Sequence, residues 1–274
     1  MSAPEFATPI PIATLFDLHE QVAVVTGAGS GIGQACAARL AQVGARVLCA
    51  DIDLDAATAT VDGLRAAGGD AAPIAGDVRV AADVERMAAR AVELWGRVDV
   101  AVNGAGVFPP SPVLDTPAEL WDDVHDINVK GTFLTSQACA RHMAAGGRGG
   151  RIVNLASKSA YQPSVGLVHY SSTKAAVVGM TKGLALELAP HRIRVNAIAP
   201  GGVNTPGART AAERMIVEQP RSADDIRAAH AGRCPLGRQA EADEMARIAL
   251  FLVSDASSYI TGVTILADGG YLLS

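Results

Sequence analysis

The 274-residue chain has no lysine or arginine cluster, and its formal net charge is -5. Binding to nucleic acid through the phosphate backbone requires such a cluster, so that class is excluded, and an acidic surface does not attract anionic membranes. No apolar stretch reaches the roughly 20 residues needed to span a bilayer. The first seventeen residues contain Pro4, Pro9 and Pro11 but neither a basic start nor a long apolar run, so they do not resemble a secretion signal. These absences point to the cytoplasm. Cysteine is scarce: Cys36, Cys49, Cys139 and Cys234 lack a paired spacing and lie mostly in apolar segments, as reduced core residues do. The histidines are dispersed without metal-ligand spacing, so no metal site is expected. No proline-rich or charged linker and no internal repeat divides the chain. One domain is expected over 18–274, after an arm (1–17) that is either loose or laid across a neighbouring subunit.

Hydrophobic residues are plentiful, at 49% of the chain, which argues against disorder. They fall in short β-branched runs that alternate with longer alanine-rich helical patterns. That alternation predicts an α/β fold, a doubly wound parallel sheet with helices on both faces. The runs lie at 22–26, 46–51, 72–77, 98–103, 151–156, 194–198 and 264–267, which makes seven strands.

The first run leads into Thr26, Gly27, Ala28, Gly29, Ser30, Gly31, Ile32 and Gly33, with a helix predicted from about Gln34. Glycines let the backbone turn tightly and approach a pyrophosphate, and a helix N-terminus presents unpaired amides to it. Gly27, Gly31 and Gly33 follow G-x-x-x-G-x-G rather than the more widespread G-x-G-x-x-G. The second run ends in Asp51, where a dinucleotide fold places an acid that accepts from the adenosine ribose hydroxyls. A carboxylate there repels a 2'-phosphate. Ile52 and Asp53 follow it, and Ser30 rather than a basic residue occupies the turn, so NAD is favoured over NADP. The competing reading is that Asp51 caps the next helix, a role open equally to Asp53. Asp77 and Val78 end the third run, placed to meet the adenine. Asn103, Gly104, Ala105 and Gly106 form a second small-residue turn at the ligand-binding edge of the sheet.

Asn128 lies in a helix predicted over 117–143, between Ile127 and Val129, where a buried amide needs a water or a backbone group as partner. Tyr170 and Lys174, four apart, share one helix face, and a fixed ammonium favours the phenolate. Ser157 lies upstream. His169 points away from Tyr170 on the helix and reads as structural.

In this order and spacing, the Thr26–Gly33 turn, Asp77, the Asn103–Gly106 turn, Asn128, Ser157, Tyr170 with Lys174, and Pro200 with Gly201 resemble the short-chain dehydrogenase/reductase family. The resemblance runs from about Gln21 to Tyr271. It implies a single-domain, Rossmann-like NAD(P)-dependent oxidoreductase. Tyr170 is then the general acid or base, and Lys174 lowers its pKa and holds the nicotinamide ribose. Ser157 binds the reacting oxygen, and Asn128 completes a proton relay through water. Pro200, Gly201, Val203 and Thr205 lie beside the nicotinamide. Residues 206–235 are either a substrate lid or a solvated helix face.

Val107, Phe108, Tyr161, Gln162 and Met215 are candidate substrate walls, a mostly apolar set that favours a neutral or weakly polar ketone and its secondary alcohol. Phe108 and Tyr161 could equally pack against protein. The resemblance also implies a homotetramer, formed through the helices of Asn128 and Tyr170 and through Tyr259, Leu266 and 271–274. Two other activities share such a scaffold: epimerisation or dehydration through a transient ketone, and NAD sensing without turnover. A sensor has no need of Asn128, Ser157, Tyr170 and Lys174 together.

Overall fold

Strand β1 (Val22–Thr26) is buried at every position, as a strand covered on both faces must be. It pairs in parallel with β2 (Arg46–Asp51) on one side and β4 (Val100–Asn103) on the other. With β3 (Ala71–Ala75), β5 (Gly150–Leu155), β6 (Ile193–Pro200) and β7 (Thr264–Ala267), the seven-stranded sheet has the order β3-β2-β1-β4-β5-β6-β7. All its pairings are parallel. The computed structural model describes residues 10–216 and 231–274, with backbone alone at Ala13 and 212–216.

Successive strand residues face opposite sides, and two cores result. Ala23, Val25, Val47, Cys49, Val100 and Val102 pack beneath helices α1 (Gly31–Gln42) and α8 (Ala242–Val253). Val22, Val24, Leu48, Ala50 and Ala101 pack on the other face, against α3 (Ala81–Trp95) and α5 (Gly131–Gly146). Each fully buried Val or Leu contributes roughly 1.5–3 kcal/mol of transfer free energy. The remaining longer helices are α2 (Leu54–Ala66), α4 (Ala118–His125), α6 (Val168–Leu188) and α7 (Pro206–Ile216). The strand order reverses between β1 and β4, which opens a crevice at their carboxyl ends.

Three predicted strands match at both ends, and the others shift by one to two residues. Strand β3 stops at Ala75 and leaves Asp77 in the following loop. Helix α1 begins at Gly31, ahead of the predicted Gln34, because the last glycines of the turn already belong to its first turn. The helix predicted over 117–143 is broken by one π-turn, Asp126–Lys130, which carries Asn128. A short parallel pair, Val203–Asn204 with Ala240–Glu241, is too brief to leave a periodic signal.

Among the described residues, no helix is long and apolar enough to cross a membrane, and no three His, Cys, Asp or Glu side chains gather as a metal site. The four cysteines are free and buried. Burial pushes the thiols of Cys36, Cys49 and Cys139 up to about 12.

Candidate active site

A cavity of about 660 Å³ runs along the carboxyl edge of the sheet, from the turn after β1 to the loops after β5 and β6. At the β1 end its wall is backbone. Gly27 has φ +63°, and a Cβ there would lie 2.7 Å from the Ala105 amide nitrogen. A Cβ on Gly33 would lie 2.1 Å from the Gly27 carbonyl oxygen. Only glycine lets this turn nest against both the loop after β4 and its own helix. Ser30, Gly31 and Ile32 complete that wall, and the N-terminus of α1 faces the space where a pyrophosphate would sit.

Asp51 lines the cavity at the end of β2, where its Oδ2 accepts from the Gly29 amide at 2.8 Å and its Oδ1 from the Asp53 amide at 3.1 Å. Capping of α2 falls to Asp53, which accepts from the amides of Asp55 and Ala56. Asp51 is thereby left at the cavity with its carboxylate aimed by the glycine turn. Asp77 and Val78 line the same region. The Asp77 carboxylate is held by Arg79, whose Nη2 lies 2.7 Å away, and that hydrogen bonding keeps the acid below its ordinary range. A dinucleotide fits this wall: glycine amides for the phosphates, a carboxylate for the ribose and a loop for the base.

Two of the predicted site residues, Asn103 and Asn128, are not in the cavity lining. The Asn103 side chain is buried in the interior. There Nδ2 donates to Ser136 Oγ at 2.8 Å and to Asn154 Oδ1 at 2.7 Å, and Asn154 donates on to Thr181 Oγ1 at 2.9 Å. This chain ties β4 and β5 to α5 and α6. Gly104 and Ala105 do line the cavity. Asn128 is fully buried behind the wall, where Oδ1 accepts from the Val107 amide at 2.9 Å. Its Nδ2 donates to the Val107 carbonyl at 2.8 Å and to Thr173 Oγ1 at 3.2 Å. Of the two partners open to it from sequence, the side chain takes a backbone group, and it fixes the loop after β4 against α6.

At the far end the wall is made of side chains. Ser157 follows β5, its Oγ accepts from the Ser159 amide at 3.1 Å, and it lies beside the Tyr170 hydroxyl in the same cavity. Burial pushes the Tyr170 phenol above its ordinary range, and the neighbouring Ser157 opposes that rise. Lys174 Nζ donates to the Leu155 carbonyl at 2.8 Å and lies 5.6 Å from the Tyr170 ring centroid. Burial pulls its pKa down to about 8. Burial displaces the two groups in opposite directions, and the Lys174 ammonium is turned to a carbonyl. A Cβ on Gly106 would lie 3.2 Å from Asn128 Oδ1 and 3.6 Å from Lys174 Nζ, so loop, amide and ammonium meet at one point.

Pro200, Gly201, Val203 and Thr205 line the cavity after β6. Val107 and Phe108 do so as well, with the Phe108 ring 5.5 Å from that of Tyr170. Tyr161 is 50% exposed and neither it nor Gln162 reaches the cavity. The Met215 side chain and the 217–230 part of the expected lid lie outside the described residues. Tyr271 was expected at a subunit interface. It is instead 7% exposed and lines the cavity, with Lys158 Nζ 4.2 Å from its ring centroid. No motif singles out Lys158, whose one signal in the sequence is its adjacency to Ser157. His169 is buried with Nε2 2.8 Å from the Pro109 carbonyl, a structural role.

The family described as enoyl-(acyl carrier protein) reductase matches residues 27–272. The short-chain reductase protein NovJ of Streptomyces niveus is 42% identical, covering 92% of this chain and 94% of that one. The 2-dehydro-3-deoxy-D-gluconate 5-dehydrogenase of Escherichia coli (strain K12) is 36% identical, covering 95% and 99%. A crystal structure of a short-chain type dehydrogenase/reductase from Mycobacterium marinum superposes with a TM-score of 0.89 at 38% identity, covering 96% of this chain and all of that one. With its reversed parallel sheet, glycine turn and Ser157, Tyr170 and Lys174 in one crevice, the chain belongs to the short-chain dehydrogenase/reductase family of Rossmann-fold oxidoreductases, which bind a nicotinamide cofactor.

Proposed function

We propose that the protein is an NAD-dependent oxidoreductase that interconverts a secondary alcohol and a ketone, with Tyr170 as general acid and base. The observation that carries this reading is the convergence of Ser157, Tyr170 and Lys174 on the same cavity as the glycine turn. A bound nicotinamide supplies or accepts the hydride. Ser157, in the same cavity as the phenol, holds the reacting oxygen beside Tyr170. Tyr170 gives its proton to that oxygen in reduction and takes one from it in oxidation. A phenol raised by burial is protonated at neutral pH, which suits the reducing direction. Lys174, Ser157 and the apolar faces of Val107 and Phe108 orient substrate and exclude water.

NAD is favoured because the Asp51 carboxylate stands at the cavity with Ile52 beside it. The nearby Arg79 is already engaged by Asp77 and by Asp123 at 3.1 Å. A homotetramer remains part of the proposal, supported by the small exposed residues Ala175, Ala176, Gly179 and Gly183 on α6 and by the fully exposed Tyr259. Light scattering on the purified protein checks it.

The direct test is a panel of linear and cyclic secondary alcohols offered with NAD and, separately, with NADP, following absorbance of the reduced cofactor. Turnover with NAD on at least one alcohol is expected. No turnover across the panel and its matching ketones, or a preference for NADP, would sink the reading.

A further inference from the structure

Among the described residues, four cationic side chains line the cavity: Arg79, Lys158, Lys174 and Arg209. Three are engaged. Arg79 pairs with Asp77 and Asp123, Lys174 donates to the Leu155 carbonyl, and Arg209 donates to Asn204 Oδ1 at 3.1 Å. Lys158 is different. It is only 8% exposed, and its ammonium has no hydrogen-bond or ion-pair acceptor among the described residues. It rests over the Tyr271 ring, with the Arg233 guanidinium carbon 4.6 Å from the same centroid.

An ammonium drawn partly out of water without an acceptor is costly, and a cation-π contact offsets only about 0.5–2 kcal/mol of that. Burial and the neighbouring Arg233 both disfavour its charge. The nearby acid is Asp268, but its two carboxylate oxygens accept from the amides of Gly270 and Leu272 at 2.9 Å each. The local balance of Lys158, Arg233 and Asp268 is one net positive charge. An anion entering the cavity would restore what burial has taken from Lys158.

Its place decides which anion. Lys158 immediately follows Ser157, beyond β5, whereas the glycine turn lies after β1 with β4 between them in the sheet. The cofactor's phosphates have their own amides at the other end. We propose that the substrate carries a carboxylate, separated from its reacting carbonyl or alcohol carbon, and that Lys158 is the specificity-determining residue that binds it. This rests on the alcohol–ketone reading above and revises its expectation of a neutral substrate.

Glutarate and its neutral counterpart glutaramide, titrated calorimetrically into NADH-saturated protein, test the site without turnover. Glutarate is expected to bind at least tenfold more tightly, and Lys158→Met to remove that difference while Lys158→Arg keeps most of it. The affinity for NADH should be the same in Lys158→Met as in wild type. The turnover arm uses 4-oxopentanoate, 5-oxohexanoate and 6-oxoheptanoate, each against its methyl ester. At least one acid should exceed its ester tenfold in kcat/KM, a ratio that Lys158→Met collapses. Equal binding of glutarate and glutaramide, or a tenfold loss of NADH affinity in Lys158→Met, overturns the carboxylate site. Esters turned over as well as acids would overturn it too, yet leave the oxidoreductase reading intact. Lys158-dependent glutarate binding without turnover of any compound would instead uphold the site and defeat the reaction.

Discussion

At the turn after β1 the surface that faces a pyrophosphate is backbone, held by glycines packed too closely for a side chain; at the β5–β6 end the wall is the side chains of Ser157, Tyr170 and Lys174. A Cβ at Gly33 would sit 2.1 Å from a carbonyl oxygen, so little at that end can move. At the other end Tyr170 is displaced upward in pKa and Lys174 downward, both by burial. A surface of amides recognises whatever presents phosphate oxygens and is indifferent to proton traffic. A surface of desolvated acids and bases is poised to change protonation when something binds. On the proposed reading, recognition and chemistry are separated along one crevice.

The largest expected effect breaks one side of this contrast. Tyr170→Phe removes the proton donor and should lower kcat by about 10²- to 10⁴-fold with NADH affinity unchanged, compared by steady-state rates and by titration. Equal losses in both would mean that the two ends are not separable.

Next in size is the cost of keeping Lys174 buried. Its pKa falls from 10.5 to about 8 in the folded chain, so between those values the unfolded chain holds a proton that the folded one has lost. Stability therefore rises with pH across that window, is lowest below it and levels off above it. The span amounts to on the order of 3 kcal/mol. Denaturant unfolding of wild type and Lys174→Met from pH 7 to 10.5 should show that rise in the first and not in the second.

Gly33→Ala tests the backbone end. Overpacking there should cost about 1–3 kcal/mol in unfolding free energy and weaken NADH binding, because the turn must open to admit a methyl group. A variant that binds cofactor normally would show that the turn has slack. The smallest effect belongs far from the crevice. Arg39 joins α1 to α8 through Asp243, whose carboxyl it holds at about 2. That contribution is present above pH 3.8 and is lost as pH falls through 2. Both groups are partly exposed, so Arg39→Ala should cost no more than about 1 kcal/mol by thermal unfolding and leave kinetics alone.

The same contrast explains what was legible in the sequence. A backbone site writes itself into residue types: nothing but glycine fits at Gly27 and Gly33, and the spacing is read directly. Buried strands likewise announce themselves by β-branched runs, and β1, β2 and β7 begin and end where those runs do. At the chemical end the residues were legible but their surroundings were not. Asn128 finds its partner 21 positions upstream in Val107, and no periodicity encodes that reach. Asn103 lies on a legible strand, yet which of the two faces it meets depends on the helices that cover them. The extra residue of the π-turn alters the face that Asn128 presents without altering composition. The sequence does not single out Lys158, whose ring partner Tyr271 lies more than a hundred residues later.

Strand β1, the first strand made, lies inside the finished sheet with two partners on one side and four on the other. In chain order the sheet extends from β1 in two directions in turn, first through β2 and β3, then back across β1 to β4. A chain that has emerged only as far as Asn103 already owns the complete glycine turn and Asp51, but β4 stands as an unpaired border of Val100, Ala101 and Val102 until β5 arrives. Such a raw border invites another nascent chain. Early dinucleotide capture by the finished half would hold β1, α1 and β2 together through that interval, so the ligand would act as a folding aid before it ever served the reaction.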